Sequence, residues 1–305
     1  MMSAPRDPEE LEAAGAPAFA EIPAATRPGA VHLVVADLDR SVGFYERAIG
    51  LTLRERSAGR AYLGAGAEDL LVLIERPGAV SARGYCGLYH FALLLPARVD
   101  LARWLAHAVR ERIQLTGVAD HYVSEAIYLS DPDDHGIEIY WDRPREVWEG
   151  QVAQRMTTLP LDTRGLLGEL EDPAREPFER IAPGAVMGHV HLCVAEIPST
   201  IAFYRDLLGF GLMARLGDQA AFLSAGGYHH HIGANTWESA GATQPLSGTA
   251  SLSAVTIVLP TVADRDHLAA RMADDGHAPE PVDEGVLVRD PSGNPILLGA
   301  PVDRG

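Results

Sequence analysis

The residues with the most chemistry to offer are His121, Tyr128, the pair Asp131-Pro132, and Glu138. Glu138 stands between Ile137 and Ile139; at a period of two it shares one strand face with Gly136 and Tyr140, and the isoleucines take the other. A carboxylate on so apolar a strand needs a partner, because burying a bare charge is costly and a metal ion or another cation is the usual compensation. His121 and Tyr128 lie upstream on what reads as the paired strand. A polar turn from Ser130 to Gly136, with the Asp, Pro and Gly of turn chemistry, joins the two. These residue types point to a metal site with a titratable surround.

The elements that must position this hairpin occur more than once. Residues 31–35 read as a strand and 37–50 as an amphipathic helix, with Leu38, Val42, Tyr45 and Ile49 at helical spacing and Gly50 as its C-cap. The phrase returns over 194–210, where Tyr204 stands 159 positions beyond Tyr45. Asp131-Pro132 and Asp290-Pro291 show the same offset, and two matches at one offset mark duplicated halves. Each half divides again. Strands near 62–63 and 70–74 close a first unit, and a strand at 88–95, a helix near 99–112 and the 127–140 hairpin form a second. The other half gives strands near 221–223 and 229–232, then 252–259, a helix near 262–275, and 286–298. The expected class is α+β, with four modules, each a strand, a helix and further strands. Residues 1–27 are expected to form a flexible tail, 28–143 and 184–301 the two domains, and 144–183 a charged, proline-containing linker in which Trp148 and Met156 pack on the domains.

Composition narrows the function. A length of 305 residues allows about two domains, and 47% hydrophobic with 22% charged residues is the balance of a globular chain with a sizeable core. A net charge of -17 argues against nucleic acid or anionic lipid as a partner, since both are bound through basic patches. No apolar run approaches the roughly 20 residues of a membrane span, and the start lacks the basic and apolar regions of a secretory signal. Cys86 and Cys193 make no disulfide framework, so a reduced, cytoplasmic setting is expected, one that suits a ferrous ion.

Taken together, these residues resemble the vicinal oxygen chelate superfamily (glyoxalase, bleomycin resistance and extradiol dioxygenase proteins), and within it the type I extradiol catechol 2,3-dioxygenases, over residues 28–300. The signature of those enzymes is matched by His121, Ile127-Tyr128, Asp131-Pro132 and Glu138, with departures at Ala119 and Asp134. The resemblance implies four βαβββ modules forming two vicinal oxygen chelate domains, and Fe(II), or Mn(II), held by two histidines and a glutamate. Family histidines open the first strands of paired modules, which places His90 in the second module and His189 in the third; the first and fourth modules offer only Ala30, Ala254 and Leu297. Pairing the second module with the third completes the set His90, Glu138 and His189. Such a facial triad leaves positions for substrate and dioxygen on non-haem iron. The resemblance further implies His230 as acid and base, with Tyr128 and His121 hydrogen-bonding substrate oxygens.

The expected activity is Fe(II)-dependent extradiol cleavage of a catechol-type aromatic diol by O2, in a chain that acts alone or as a homo-oligomer. His191, His229 and Trp237, with Asn235 and Thr236, are expected along the substrate pocket, whereas His32 is structural. Two other readings stay open. One is a glyoxalase-like metalloenzyme, which would use more carboxylates; the other is a non-catalytic protein of this fold that sequesters an aromatic drug and needs no complete metal set.

Overall fold

Four times along the chain a strand runs into a helix and returns through further strands. The computed structural model describes residues 12–13 and 21–301. After a two-residue strand, β1 (Glu12–Ala13), the first module contains β2 (Arg27–Val35), α1 (Leu38–Phe44), β3 (Thr52–Ser57), β4 (Arg60–Gly64) and β5 (Leu71–Glu75). The short β6 (Val80–Ser81) leads to the second module, β7 (Gly87–Leu94), α2 (Arg98–Arg110), β8 (Leu115–Asp120), β9 (Ser124–Ser130) and β10 (Gly136–Asp142). Three short helices, α3 (Arg145–Trp148), α4 (Val152–Arg155) and α5 (Thr163–Leu167), lie in the linker. The third module holds β11 (Val186–Cys193), α6 (Ile197–Ile201), β12 (Gly211–Leu216), β13 (Ala220–Ser224) and β14 (Ile232–Asn235). After β15 (Thr249–Ala250), the fourth holds β16 (Leu252–Val258), α7 (Val262–Asp274), β17 (Glu280–Val282), β18 (Gly285–Arg289) and β19 (Pro295–Gly299).

Local chemistry sets the helix ends. The Asp37 side chain accepts from the Arg40 amide to cap α1, and the π-helical continuation Tyr45–Ile49 stops at Gly50, whose φ of 86° suits a residue without Cβ. The equivalent π-helical stretch after α6 is Ala202–Leu207. No helix among the described residues is long and apolar enough to cross a membrane.

The modules pair across the sequence halves. One sheet has nine strands in the order β1-β12-β13-β14-β11-β7-β10-β9-β8, and a second has eight in the order β17-β18-β19-β16-β2-β5-β4-β3. At the centre of the first sheet β11 runs antiparallel to β7, so the second and third modules share it. In the second sheet β16 runs antiparallel to β2, which unites the first and fourth modules. Strand alternation sorts the faces: Phe91, Ile137 and Ile139 join Leu33, Leu73 and Trp104 in one continuous core, leaving His90, Ala92 and Glu138 on the opposite face.

Two equivalent clasps hold the sheets together. Tyr45 donates to Asp131 at 2.9 Å, His135 Nε2 to the Val34 carbonyl at 3.0 Å, and the Ala36 amide to Asp133 at 3.2 Å. In the other half Tyr204 donates to Asp290 at 3.3 Å, Asn294 to the Cys193 carbonyl at 3.2 Å, and the Ala195 amide to Ser292 at 2.9 Å. Each pair is its counterpart displaced by 159 positions.

The tail differs from expectation where it is described. Residues 1–11 and 14–20 lie outside the described residues, but Ile22 is buried and donates its amide to the Gly209 carbonyl at 2.8 Å, because it supplies an apolar side chain to the main core. In the linker, Trp148 and Met156 are buried in a second cluster with Val123 and Phe222.

Candidate metal centre

Sheet register brings the candidate ligands to one spot. On β7, Ala92 is flanked by Glu138 of β10 on one side and by His189 of β11 on the other. Two residues along the same face, His90 is flanked by Gly136 and His191. Gly136 must be glycine here, since a Cβ would lie 2.1 Å from the Tyr89 carbonyl oxygen. The ligand-capable atoms of His90, Glu138 and His189 fall within 4.8 Å of one another, and among the described residues no other three His, Cys, Asp or Glu side chains converge in this way.

The electrostatics distinguish this carboxylate from an ordinary buried one. Glu125, also buried, is paired with the guanidinium groups of Arg98 and Arg143. Among the described residues Glu138 has only imidazoles beside it: Nε2 of His189 and Nε2 of His90 each stand 3.0 Å from its Oε2. Burial pushes the Glu138 carboxyl up, but the two rings outweigh it and hold it well below the usual carboxylate range. Burial lowers His189, and Glu138 only partly opposes it. His90 Nε2 is buried without a hydrogen-bonding partner, close to a charged oxygen. A carboxylate, neutral imidazole and an orphaned ring nitrogen converging on one point fit a divalent cation.

A cavity of about 420 Å³ opens onto this triad. His121, Tyr128, His191, His230 and Trp237 all line it. His121 Nδ1 donates to the Thr157 carbonyl at 2.8 Å, which leaves Nε2 to accept the Tyr128 hydroxyl at 2.7 Å. The His230 ring lies 4.1 Å from that of His189, and burial holds His230 neutral, far below the usual imidazole range. Burial, reinforced by His90 and His189, depresses His191 similarly.

Several placements differ from the sequence reading. His229 does not line the cavity: it is fully buried behind His230, bonded to Asp142 and to His230 itself. The physical reason is that residues 227–231 form a turn and bend ahead of β14, not a strand, so alternation does not decide which way the three histidines point. Asn235 is fully buried and Thr236 bonds to the Asp218 carbonyl; neither reaches the cavity wall. Tyr89 and Phe222 line it unannounced by any motif, and Asp142 and Tyr228 lie immediately behind it. Period two from Glu138 through Tyr140 was the one available signal for Asp142. His32, in the second sheet, contacts Thr256 at 3.2 Å.

Comparison with known proteins gives concordant findings. The pattern of the Glyoxalase/Bleomycin resistance protein/Dioxygenase superfamily matches residues 27–139 and 186–298. The chain is 40% identical over 274 residues to the catechol-2,3-dioxygenase of Bacillus subtilis (strain 168), covering 87% of this chain and 94% of that one. Among solved structures, a putative dioxygenase from Bacillus subtilis superposes with a TM-score of 0.64 at 14% identity, covering 92% of this chain and 86% of the other. Glyoxalase I from Zea mays superposes with a TM-score of 0.52 at 18% identity, covering 90% and 92%. At these identities the two structural likenesses speak to the fold alone.

Proposed function

We propose, for a chain that belongs to the Glyoxalase/Bleomycin resistance protein/Dioxygenase superfamily, that its activity is extradiol cleavage of a catechol-type ring by O2. The enzyme is a dioxygenase of the catechol 2,3 type: both atoms of O2 enter the product as the ring carbon–carbon bond beside the diol breaks. The observation that carries this reading is the convergence of His90, Glu138 and His189 on the floor of the cavity, in a chain 40% identical to a catechol-2,3-dioxygenase.

His90, His189 and Glu138 would hold Fe(II), which would supply Lewis acidity toward the diol and a site for dioxygen. The three side chains sit on two adjoining rows of one sheet face, and the cavity opens onto that face. His230, neutral and beside His189, exchanges protons with the bound diol. Tyr128, its hydroxyl hydrogen directed at His121, orients a substrate oxygen through its lone pairs. Tyr89, Phe222 and Trp237 bracket the ring. Among the described residues the wall carries a single arginine, Arg83, mostly exposed, against Asp134 and Glu238, with the wall's Asp133 already paired to Arg40. That balance favours an uncharged diol over a carboxylated one.

The test is aerobic incubation of the iron-loaded protein with catechol and a panel of alkyl- and carboxyl-substituted catechols. O2 uptake with formation of a yellow ring-opened product, fastest with the uncharged diols, is the expected result. No ring opening of any panel member by protein with stoichiometric iron would overturn the proposal.

A further inference from the structure

Asp142 ends β10, four residues beyond Glu138 and on the same face. Its carboxylate accepts from two donors, Tyr228 Oη at 2.7 Å and His229 Nε2 at 3.0 Å. A carboxylate has no hydrogen to give, so His229 carries its hydrogen on Nε2, and in the neutral ring Nδ1 is bare. That nitrogen lies 2.8 Å from Nδ1 of His230. Two ring nitrogens at this separation share one hydrogen, which then belongs to His230. A neutral His230 with its hydrogen on Nδ1 has a bare Nε2, on the ring edge away from His229, and the ring lines the cavity. The other arm obeys the same rule: the Tyr228 hydrogen is committed to Asp142, so Tyr140 is the donor in the 2.8 Å contact between the two hydroxyls. Every hydrogen in the network is therefore directed toward Asp142.

We propose that Asp142 and His229 are positioning residues that lock His230 as its Nδ1–H tautomer, so that His230 meets the cavity with a lone pair and enters the reaction as a proton acceptor. The consequence for catalysis rests on the dioxygenase reading above; the tautomer itself does not. When His230 Nε2 takes a proton from the diol, the charge gained is stabilised through His229 by the Asp142 carboxylate, which sits outside the metal triad. The tautomer is a deduction from donor and acceptor chemistry, and it can be read directly.

The full chain, labelled with 15N-histidine and loaded with zinc as a diamagnetic ion, is examined by long-range 1H–15N correlation at neutral pH. The His230 signals are identified by their loss in His230→Gln. The expected pattern is a protonated Nδ1 and a bare Nε2. In Asp142→Asn the amide can donate to His229, and the His230 population shifts toward Nε2–H; in Tyr228→Phe, which removes the other bond to Asp142 and the contact with Tyr140 but leaves the arm through His229, the tautomer is retained. On iron-loaded enzyme Asp142→Asn lowers kcat for catechol at least about tenfold with KM and iron content unchanged, and Asp142→Glu recovers part of it. An Nε2–H tautomer in the unsubstituted protein overturns the proposal, as does an Asp142→Asn variant with wild-type tautomer and kcat. A protein with the Nδ1–H tautomer that opens no diol supports the lock and sinks the dioxygenase reading.

Discussion

Replacing Gly188 with alanine adds a single methyl group beside a candidate ligand, and its effect can be worked from the packing. Gly188 precedes His189 on β11, where the register with β7 shifts. A Cβ there would lie 1.8 Å from the Tyr140 hydroxyl oxygen, 2.7 Å from its Cζ and 3.0 Å from the Leu94 Cβ, whereas ordinary contact begins at 3.4 Å. About 1.6 Å must be found by moving either strand or ring. Tyr140 is fully buried, so the ring has nowhere to swing, and displacing its hydroxyl breaks the 2.8 Å bond to Tyr228. Overpacking costs about 1–3 kcal/mol and a buried hydroxyl without its partner about 1–3 kcal/mol more, so Gly188→Ala is expected to destabilise by about 2–6 kcal/mol. Urea unfolding at neutral pH measures it. Tyr140→Phe removes the atom in closest conflict, so in a double-mutant cycle it should recover at least about 1 kcal/mol in the Gly188→Ala background. A single variant within about 0.5 kcal/mol of the parent, or strictly additive effects, would refute the packing argument.

Three further outcomes are expected. His189→Ala should abolish stoichiometric iron binding, measured by metal analysis, while His32→Ala leaves it intact because His32 lies in the other sheet against Thr256. Tyr45→Phe and Tyr204→Phe should each lower stability to urea by about 1–3 kcal/mol, the first more, since its bond to Asp131 is 2.9 Å and that of Tyr204 to Asp290 is 3.3 Å. For Asp120, burial raises the carboxyl but Arg143 and the Tyr122 amide outweigh it, so the folded carboxyl titrates below its unfolded value near 3.8. Its contribution is thus fully present above that pH and is lost as pH falls through the folded value; the acid limb of stability against pH should be shallower in Asp120→Asn, measured by urea midpoints on descending pH.

Much of the architecture was legible because duplication leaves a signal that needs no tertiary information. Tyr45 with Tyr204 and Asp131 with Asp290 gave the offset; that each tyrosine bonds its aspartate across 86 residues was invisible, since sequence shows recurrence and not contact. The hairpin around Glu138 was readable from its turn residues and alternation, and β9 and β10 end within a residue or so of the expected turn. His90 and His189 were reached only through the family resemblance, applied module by module. His229, expected along the pocket, lies behind His230 because it is held by Asp142, 87 residues away in sequence, a contact that no local pattern shows. The burial of Ile22 was missed for a related reason: one apolar residue in an Ala- and Pro-rich stretch carries no periodicity.

The seam between β7 and β11 has a bearing on synthesis. A ribosome that has made the chain through β10 has delivered His90 and Glu138, but the edge of β7 that will receive β11 is still bare, and so is the edge of β2 awaiting β16. The β7 edge and the buried-type carboxylate must wait for the linker and β11 to emerge, and the β2 edge waits longer, for the fourth module. The nascent first half is thus an unfinished sheet rather than a finished domain, and the metal-binding floor closes only when β11 brings His189 beside β7.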